Sequence, residues 1–212
     1  MFKLIKDKWG KKVSLMENMV STDQIRIIRT NIEDELQKER IFLTVTSPNL
    51  EDQKSVISAK LAISFAELGK KVLLVDANLR RPSLHKFFNA SNASGLVDVI
   101  EEKGSINLYA KVTFTQGLFL LPSGTAKDSS SNTGLLNKAE ELMAEWGNSF
   151  EVIILEAPSF LKSSDAHILS RKCDGVILVM KEHSTKKDEA MQTKHYLERS
   201  NKKIVGVIYQ TA

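Results

Sequence analysis

Lys54 and Ser55 form the pair that handles the terminal phosphates of a nucleotide when it closes a phosphate-binding loop. In such a loop the lysine reaches the β- and γ-phosphates and the hydroxyl ligates Mg²⁺. The pair lies in TSPNLEDQKSVISAK, Thr46 to Lys60, after an apolar run from Ile41 to Val45 and at the head of a helical pattern. The loop also needs bare backbone. Its N–H groups must turn inward and approach phosphate oxygens closely, and glycine supplies both the φ/ψ values and the clearance. Here Gln53 stands where a glycine is expected, and Glu51 and Asp52 come just before it. Like charges about 4–5 Å apart, at an effective dielectric of about 20, repel by roughly 3–4 kcal/mol before the side chains turn out to solvent. The sequence thus predicts a loop with lowered affinity for phosphate, weakened more by lost glycine geometry than by its acids.

Two more acids end apolar runs. Asp76 closes the run in VLLVDANLRRP, where an aspartate beside a phosphate loop handles Mg²⁺ or a proton. Asn78, two residues on, shares its side in an extended chain but supplies neither charge nor a general base. Arg80 and Arg81 suit phosphate, a partner's carboxylate, or plain surface ion pairs. Glu156 closes the run in FEVIILEAPSF and is one methylene longer than the aspartate that would suit the octahedral shell of Mg²⁺.

The elements that must position these residues follow from periodicity. Helices are expected over Thr22–Gln37 (capped by Ser21 or Thr22), Lys54–Leu68 (stopped by Gly69), Ser94–Glu102, Leu135–Trp146, Ser164–Arg171 and Lys186–Ser200. Strands are expected over Ile41–Thr46, Val72–Asp76, Leu118–Leu121, Val152–Glu156, Val176–Met180 and Ile204–Tyr209. These are continuous apolar runs, as burial on both faces requires. Alternation of strand and helix makes a doubly wound, mostly parallel α/β sheet flanked by helices, in one domain. Ligands bind such sheets at the carboxyl ends of the strands. Three segments therefore matter most: Thr46 to Ser55, Asp76 to Pro82, and Glu156 to Asp165. DSSSNTG, Asp128 to Gly134, is the most loop-like stretch.

Composition sets the outer bounds. The 212 residues are 42% hydrophobic and 26% charged, which suits a globular domain with a sizeable core. No apolar run approaches the roughly 20 residues that span a bilayer, and the N-terminus lacks the pattern of a signal peptide. The single cysteine, Cys173, excludes an internal disulfide framework and reads as a small core residue. Together these features read as cytoplasmic. The net charge of +4 is mild but uneven. Lys3, Lys6, Lys8, Lys11 and Lys12 crowd against one acid, Asp7, with Phe2, Leu4, Ile5 and Trp9 interleaved. Residues 1–20 therefore read as a basic segment, either a solvated tail or a peripheral contact with an anionic membrane face or a membrane partner, ahead of a domain over 21–212. No groove-reading motif points to nucleic acid. His85, His167, His183 and His195 lack metal-ligand spacing, and Trp9 and Trp146 suit packing or partner contacts.

Taken together, these motifs resemble the bacterial tyrosine kinase family, cytoplasmic P-loop kinases of capsule and exopolysaccharide synthesis. The resemblance runs from about Asp23 to Val207. VLLVDANLRRPSLHKFF is similar to the family's second Walker motif, and SGLVDVI, LLPSG, SSDAHILS and CDGVILVM match further landmarks in order. DQIRIIRTNI resembles its subunit-contact motif, carried here by Asp23, Arg26 and Arg29 on one helix face. The resemblance implies a P-loop NTPase-like fold, ATP and Mg²⁺ as cofactors, and a ring-like oligomer. By position it puts nucleotide binding on Gln53, Lys54, Ser55 and Val56, Mg²⁺ on Ser55, Asp76 and Glu156, and catalysis on Asp76 and Lys54. Its partners would be a membrane-embedded co-polymerase, chain-length regulator or kinase activator, or an active kinase of the same fold.

The chain departs from the family at the chemistry. Glu51 and Gln53 replace glycines, Asn78 replaces a second aspartate, and Glu156 replaces the Walker B aspartate. TAKDSSSNTG replaces a proline-rich stretch, and Tyr109, Tyr196 and Tyr209 form no tyrosine-rich tail. The expectation is a kinase-like regulatory or binding subunit, peripheral at the inner membrane face, with ATP binding and catalysis weakened or lost. Two alternatives stand beside it: an active tyrosine kinase with an atypical site, and a partitioning or positioning ATPase. The last would carry a lysine five residues before Lys54, where this chain has Asn49.

Overall fold

The computed structural model describes residues 21–49, 53–102, 104–125 and 142–210. Helix α1 (Thr22–Leu36) opens on Ser21, whose hydroxyl accepts from the Gln24 amide while the Gln24 side chain reaches back to the Ser21 amide. This reciprocal cap fixes the helix start that the sequence offers at Ser21. Its end comes one residue earlier than periodicity predicts, because Gln37 turns into the left-handed region at φ 47°. Strand β1 (Ile41–Thr46) then leads to α2 (Lys54–Ala66) and β2 (Val72–Asp76). Next come the short helices α3 (Leu84–Phe87), α4 (Leu96–Glu102) and α5 (Ile106–Tyr109) and the strands β3 (Lys111–Val112) and β4 (Leu118–Leu121). Strand β5 (Val152–Glu156), a 3₁₀ turn (Phe160–Lys162), α6 (Ser164–Lys172), β6 (Gly175–Lys181), α7 (Lys187–Arg199) and β7 (Ile204–Gln210) complete it.

The strands form one seven-stranded sheet in the order β3-β4-β2-β5-β1-β6-β7. Every pairing is parallel except β3 with β4. Strand alternation divides the core. Leu43, Val45, Leu74 and Ile154 face a cluster with Ile25, Ile57, Leu61 and Phe65 of α1 and α2. Leu73, Val75, Ile153 and Leu155 face a second cluster with Leu169, Leu197 and Trp146 on the other side. Trp146 is buried among these residues, and truncating such a side chain costs about 3–5 kcal/mol.

Four strands, Ile41–Thr46, Val72–Asp76, Leu118–Leu121 and Val152–Glu156, run as the sequence predicts. The last strand is the exception to burial on both faces. It lies at the sheet edge, with Val207 and Tyr209 exposed and Ile208 and Gln210 buried. The antiparallel β3 and the short helices α3 and α5 were not expected. Of the helix expected over Leu135–Trp146, residues 142–146 are helical and the rest lies outside the described residues, as do the segment 1–20 and the loop-like Asp128–Gly134. No helix among the described residues is long and apolar enough to cross a membrane.

Gly95 joins α4 to the loop after β4. A Cβ at this position would lie 2.0 Å from the Pro122 carbonyl oxygen, so only glycine lets the two backbones meet. The Leu96 amide donates to that same oxygen at 2.8 Å.

Candidate functional site

The carboxyl ends of β1, β2 and β5 converge. Parallel register sets Asp76 beside Glu156 and Val45 beside Glu156, so the two acids the sequence singles out are neighbours on adjacent strands. Helix α2 starts over the same edge and brings Lys54 and Ser55 into contact with Glu156. Lys54 is 7% exposed, and its Nζ lies 3.3 Å from Glu156 Oε1. Ser55 Oγ donates to that same oxygen at 3.2 Å, and Ser83 Oγ donates to Ser55 Oγ at 2.7 Å.

Glu156 is fully buried, and its Oε2 has no hydrogen-bond partner among the described residues. Burial pushes its carboxyl up to about 8, and the Asp76 charge pushes the same way; Lys54 offsets part of the rise. Asp76 is also raised above the ordinary carboxylate range, by burial, although three backbone amides oppose the rise. Ser83 and Leu84 donate to its Oδ2, both at 2.9 Å, and Asn78 donates to its Oδ1 at 3.3 Å. Asp76 thereby holds the start of α3 as well as facing the site. Asn78 is buried beside it, while Arg80 and Arg81 are exposed.

Gln53, directly before Lys54, sits at φ 47° and ψ 28° and makes no side-chain cap. The chain has kept the left-handed turn that suits glycine and placed a side chain on it, at a cost of about 1 kcal/mol. Val56 follows in the first turn, its amide bonded to the Gln53 carbonyl at 3.0 Å. Glu51 and Asp52 lie outside the described residues. Asn49 ties the loop's first half down. Its Nδ2 donates to Ser184 O at 3.1 Å and to Glu189 Oε2 at 3.0 Å, which draws the Glu189 carboxyl below its ordinary range. The Asn49 carbonyl accepts from Ser47 Oγ and Ser159 Oγ.

Ser55, Asp76 and Glu156 supply one hydroxyl and two carboxylates, the hard oxygen donors that Mg²⁺ takes, and the orphaned Glu156 Oε2 is a free donor atom among them. These residues fit the ion. The described residues contain no group of three or more His, Cys, Asp or Glu that could hold a metal, so any ion here would need the Ser55 hydroxyl as well. Cys173 is core, with its thiol pushed up to about 12 by burial. A cleft of about 380 Å³ opens between the 3₁₀ turn and α7, lined by Leu161, Lys162, His167, Glu189, Gln192 and Tyr196; none of the convergent residues lines it.

The trio on α1 behaves unevenly. Asp23 and Arg26 are paired at 3.5 Å and stay exposed, and Arg26 also reaches Glu67 at 3.4 Å. Arg29 is turned inward, donating to Ser64 O at 2.9 Å and Ser64 Oγ at 3.1 Å, with Glu33 3.7 Å from its Nε. Sequence reasoning missed Ser83, which bonds both Ser55 and Asp76. Its one local signal is its place between Pro82 and the apolar start of α3.

No family model matches the chain. It is 33% identical to the tyrosine-protein kinase YwqD of Bacillus subtilis over 192 residues, 89% of this chain and 80% of that one. It is 32% identical to the tyrosine-protein kinase CpsD of Streptococcus agalactiae over 184 residues, 85% of this chain and 78% of that one. Among solved structures, the chimerical protein CapA2B2 superposes with a TM-score of 0.85 at 23% identity, covering 99% of this chain and 98% of that one. With Lys54, Ser55, Asp76 and Glu156 gathered at one sheet edge, and with this extent of likeness, the chain belongs to the bacterial tyrosine-protein kinase family.

Proposed function

We propose that this chain is a kinase-like subunit of capsule or exopolysaccharide biosynthesis in which ATP binding and catalysis are weakened or lost, and which works by binding partners. The observation that carries this reading is the closure of Lys54 onto Glu156 behind a substituted loop. To reach a phosphate, Lys54 must leave a fully buried carboxyl, and the loop must accept the anion with a Gln53 side chain and two acids where bare backbone is needed. The intact sheet and helices keep the surfaces through which such a subunit acts. Its partners are a membrane-embedded co-polymerase or activator at the inner face of the membrane and an active kinase of the same fold. The exposed Asp23–Arg26 pair on α1 is the proposed contact in an oligomer.

Calorimetric titration with Mg²⁺–ATP and Mg²⁺–ADP, beside a Lys54→Met control, tests the reading. Absent or millimolar binding is expected. Micromolar binding that the control loses, together with ATP turnover, would overturn it.

The convergence of Lys54, Ser55, Asp76 and Glu156 favours a second reading, an active tyrosine kinase whose atypical site a partner completes. Phosphotyrosine formation on a partner, abolished by Lys54→Met, is its signature. A positioning ATPase is less favoured, since Asn49 occupies the place of its extra lysine and is bonded to Ser184 and Glu189.

A further inference from the structure

Among the described residues, three of the nine large apolar side chains left exposed fall within seven residues of one another: Leu108 at 72%, Val112 at 80% and Phe114 at 46%. One exposed apolar side chain needs no explanation, but a cluster marks a contact surface. Leu108 lies on α5, Val112 on β3, and Phe114 in the turn that follows, at the end of the sheet opposite β7. The turn is held firmly. Thr113 Oγ1 donates to the Leu118 carbonyl at 2.9 Å and accepts from the Thr115 amide at 3.1 Å, and the Phe114 ring stacks on Phe88 at 5.5 Å. The fold therefore displays these side chains in a fixed place.

The charge around them is mostly basic. Residues 103–127 include no Asp or Glu and carry Lys103, Lys111 and Lys127. Val112 stands opposite Phe119 in the β3–β4 pairing, and Lys71 Nζ lies over that same ring at 5.7 Å. The Val72 amide donates to the Gly117 carbonyl at 2.8 Å, which ties the turn to the end of β2 beside Lys71. Glu102, the nearest acid along the chain, accepts from the Tyr109 hydroxyl. Strand β3 has two residues, too few to template a strand from another protein. At their exposure Leu108 and Val112 protrude, so they suit a soft apolar phase better than the groove that would seat a partner's helix. Protruding apolar tips beside lysines match the boundary of a bilayer, where tips enter the acyl region and ammonium groups meet headgroup phosphates. We propose that Leu108, Val112 and Phe114 insert into the surface of an anionic bilayer, with Lys71 and Lys111 against its headgroups. This goes beyond the function proposed above, in which a membrane-embedded partner holds the chain at the membrane: here the folded domain touches lipid itself.

The test uses the whole chain and vesicles of phosphatidylcholine, with and without phosphatidylglycerol. Val112→Cys carries an environment-sensitive fluorophore; Cys173 is buried, so the label goes to the new site. Met191→Cys, at a position 55% exposed on α7, carries the same label as a control. Vesicles with phosphatidylglycerol should shift the emission at position 112 to the blue and leave position 191 unchanged, and added salt should weaken the response. Leu108→Asp combined with Val112→Asp should lower vesicle affinity about 10- to 100-fold at an unchanged melting temperature. A silent label at position 112 overturns the proposal, including the case in which the basic segment 1–20 alone carries vesicle binding. So does a double variant that binds as tightly as wild type; if that variant does not fold, the label decides alone. Capture of the chain by a membrane partner without any response to lipid would sink this inference and leave the proposed function standing, so the two failures are distinct.

Discussion

Replacing Glu156 by glutamine should remove a large part of the pH dependence of this protein's stability. The carboxyl is fully buried, with Lys54 Nζ at 3.3 Å and Ser55 Oγ at 3.2 Å from Oε1 and with Oε2 unpartnered. It titrates near 8 in the folded chain against 4.5 as its ordinary value. The native state therefore keeps a proton that the unfolded chain has released. The contribution of Glu156 is fully present below about pH 4.5 and is lost as pH rises through about 8. The whole displacement corresponds to at most about 5 kcal/mol, of which about 4 kcal/mol falls between about pH 5 and pH 9. Asp76, also raised by burial, acts in the same direction. His167, lowered by burial, acts in the opposite one and gains stability as pH rises through 6.5.

The difference between wild type and Glu156→Gln cancels His167 and isolates the carboxyl. Glutamine keeps an acceptor for Lys54 and Ser55 and carries no titrating proton. Urea unfolding followed by the fluorescence of buried Trp146, across that pH range, gives the two curves. Wild type should lose up to about 4 kcal/mol relative to the variant as pH rises. Parallel curves, or a wild type that gains on the variant with rising pH, would refute the account of Glu156 as a carboxyl protonated by burial.

Gln53→Gly should raise stability by about 1 kcal/mol, seen as a higher urea midpoint at unchanged slope, because the position already holds a left-handed φ of 47°. Gly95→Ala should cost about 3 kcal/mol or fail to fold, since the new Cβ meets backbone of Pro122 at 2.0 Å and Gly124 at 2.7 Å. Arg29→Ala should cost about 1.5–3 kcal/mol through its bonds to Ser64, whereas Asp23→Ala, at a side chain 86% exposed, should move monomer stability by less than about 0.5 kcal/mol. Denaturant midpoints of the two variants check this contrast.

The sequence made the middle of the sheet legible because the strands there are buried on both faces and carry unbroken apolar runs. Val72–Asp76 and Val152–Glu156 are fully buried and were placed to the residue. β7 was legible as a strand but not as an edge, because Val207 and Tyr209 are as apolar as their inward-facing neighbours. β3 has two residues, one of them lysine, and exists only through its pairing with β4. The meeting of Lys54, Ser55, Asp76 and Glu156 followed from the rule that ligands gather at strand carboxyl ends. The Asn49 tether to Ser184 and Glu189 crosses more than a hundred residues of chain and has no local signal. Arg29 was expected on a face with Asp23 and Arg26, yet hydroxyl and carbonyl acceptors on α2 draw it inward.

Glu156 links the sequence's departures to one another. Without a phosphate, a lysine as buried as Lys54 needs a local acceptor, and the longer side chain of glutamate brings one oxygen within reach of both Lys54 Nζ and Ser55 Oγ. The added methylene thus closes the site on itself. An incoming anion must compete with Glu156 for Lys54, and the strength of that competitor depends on its proton. Below about pH 8 the carboxyl is mostly neutral and holds Lys54 weakly; above it the carboxylate holds Lys54 as an ion pair. Sulfate, which keeps its charge throughout this range, should bind wild type more tightly as pH falls from about 9 to about 6, by roughly tenfold for each 1.4 kcal/mol of ion pairing removed. Glu156→Gln should bind sulfate with little dependence on pH, and Lys54→Met should bind it weakly at every pH. Sulfate affinity in wild type that is flat, or that rises toward alkaline pH, would show that Glu156 does not compete for Lys54.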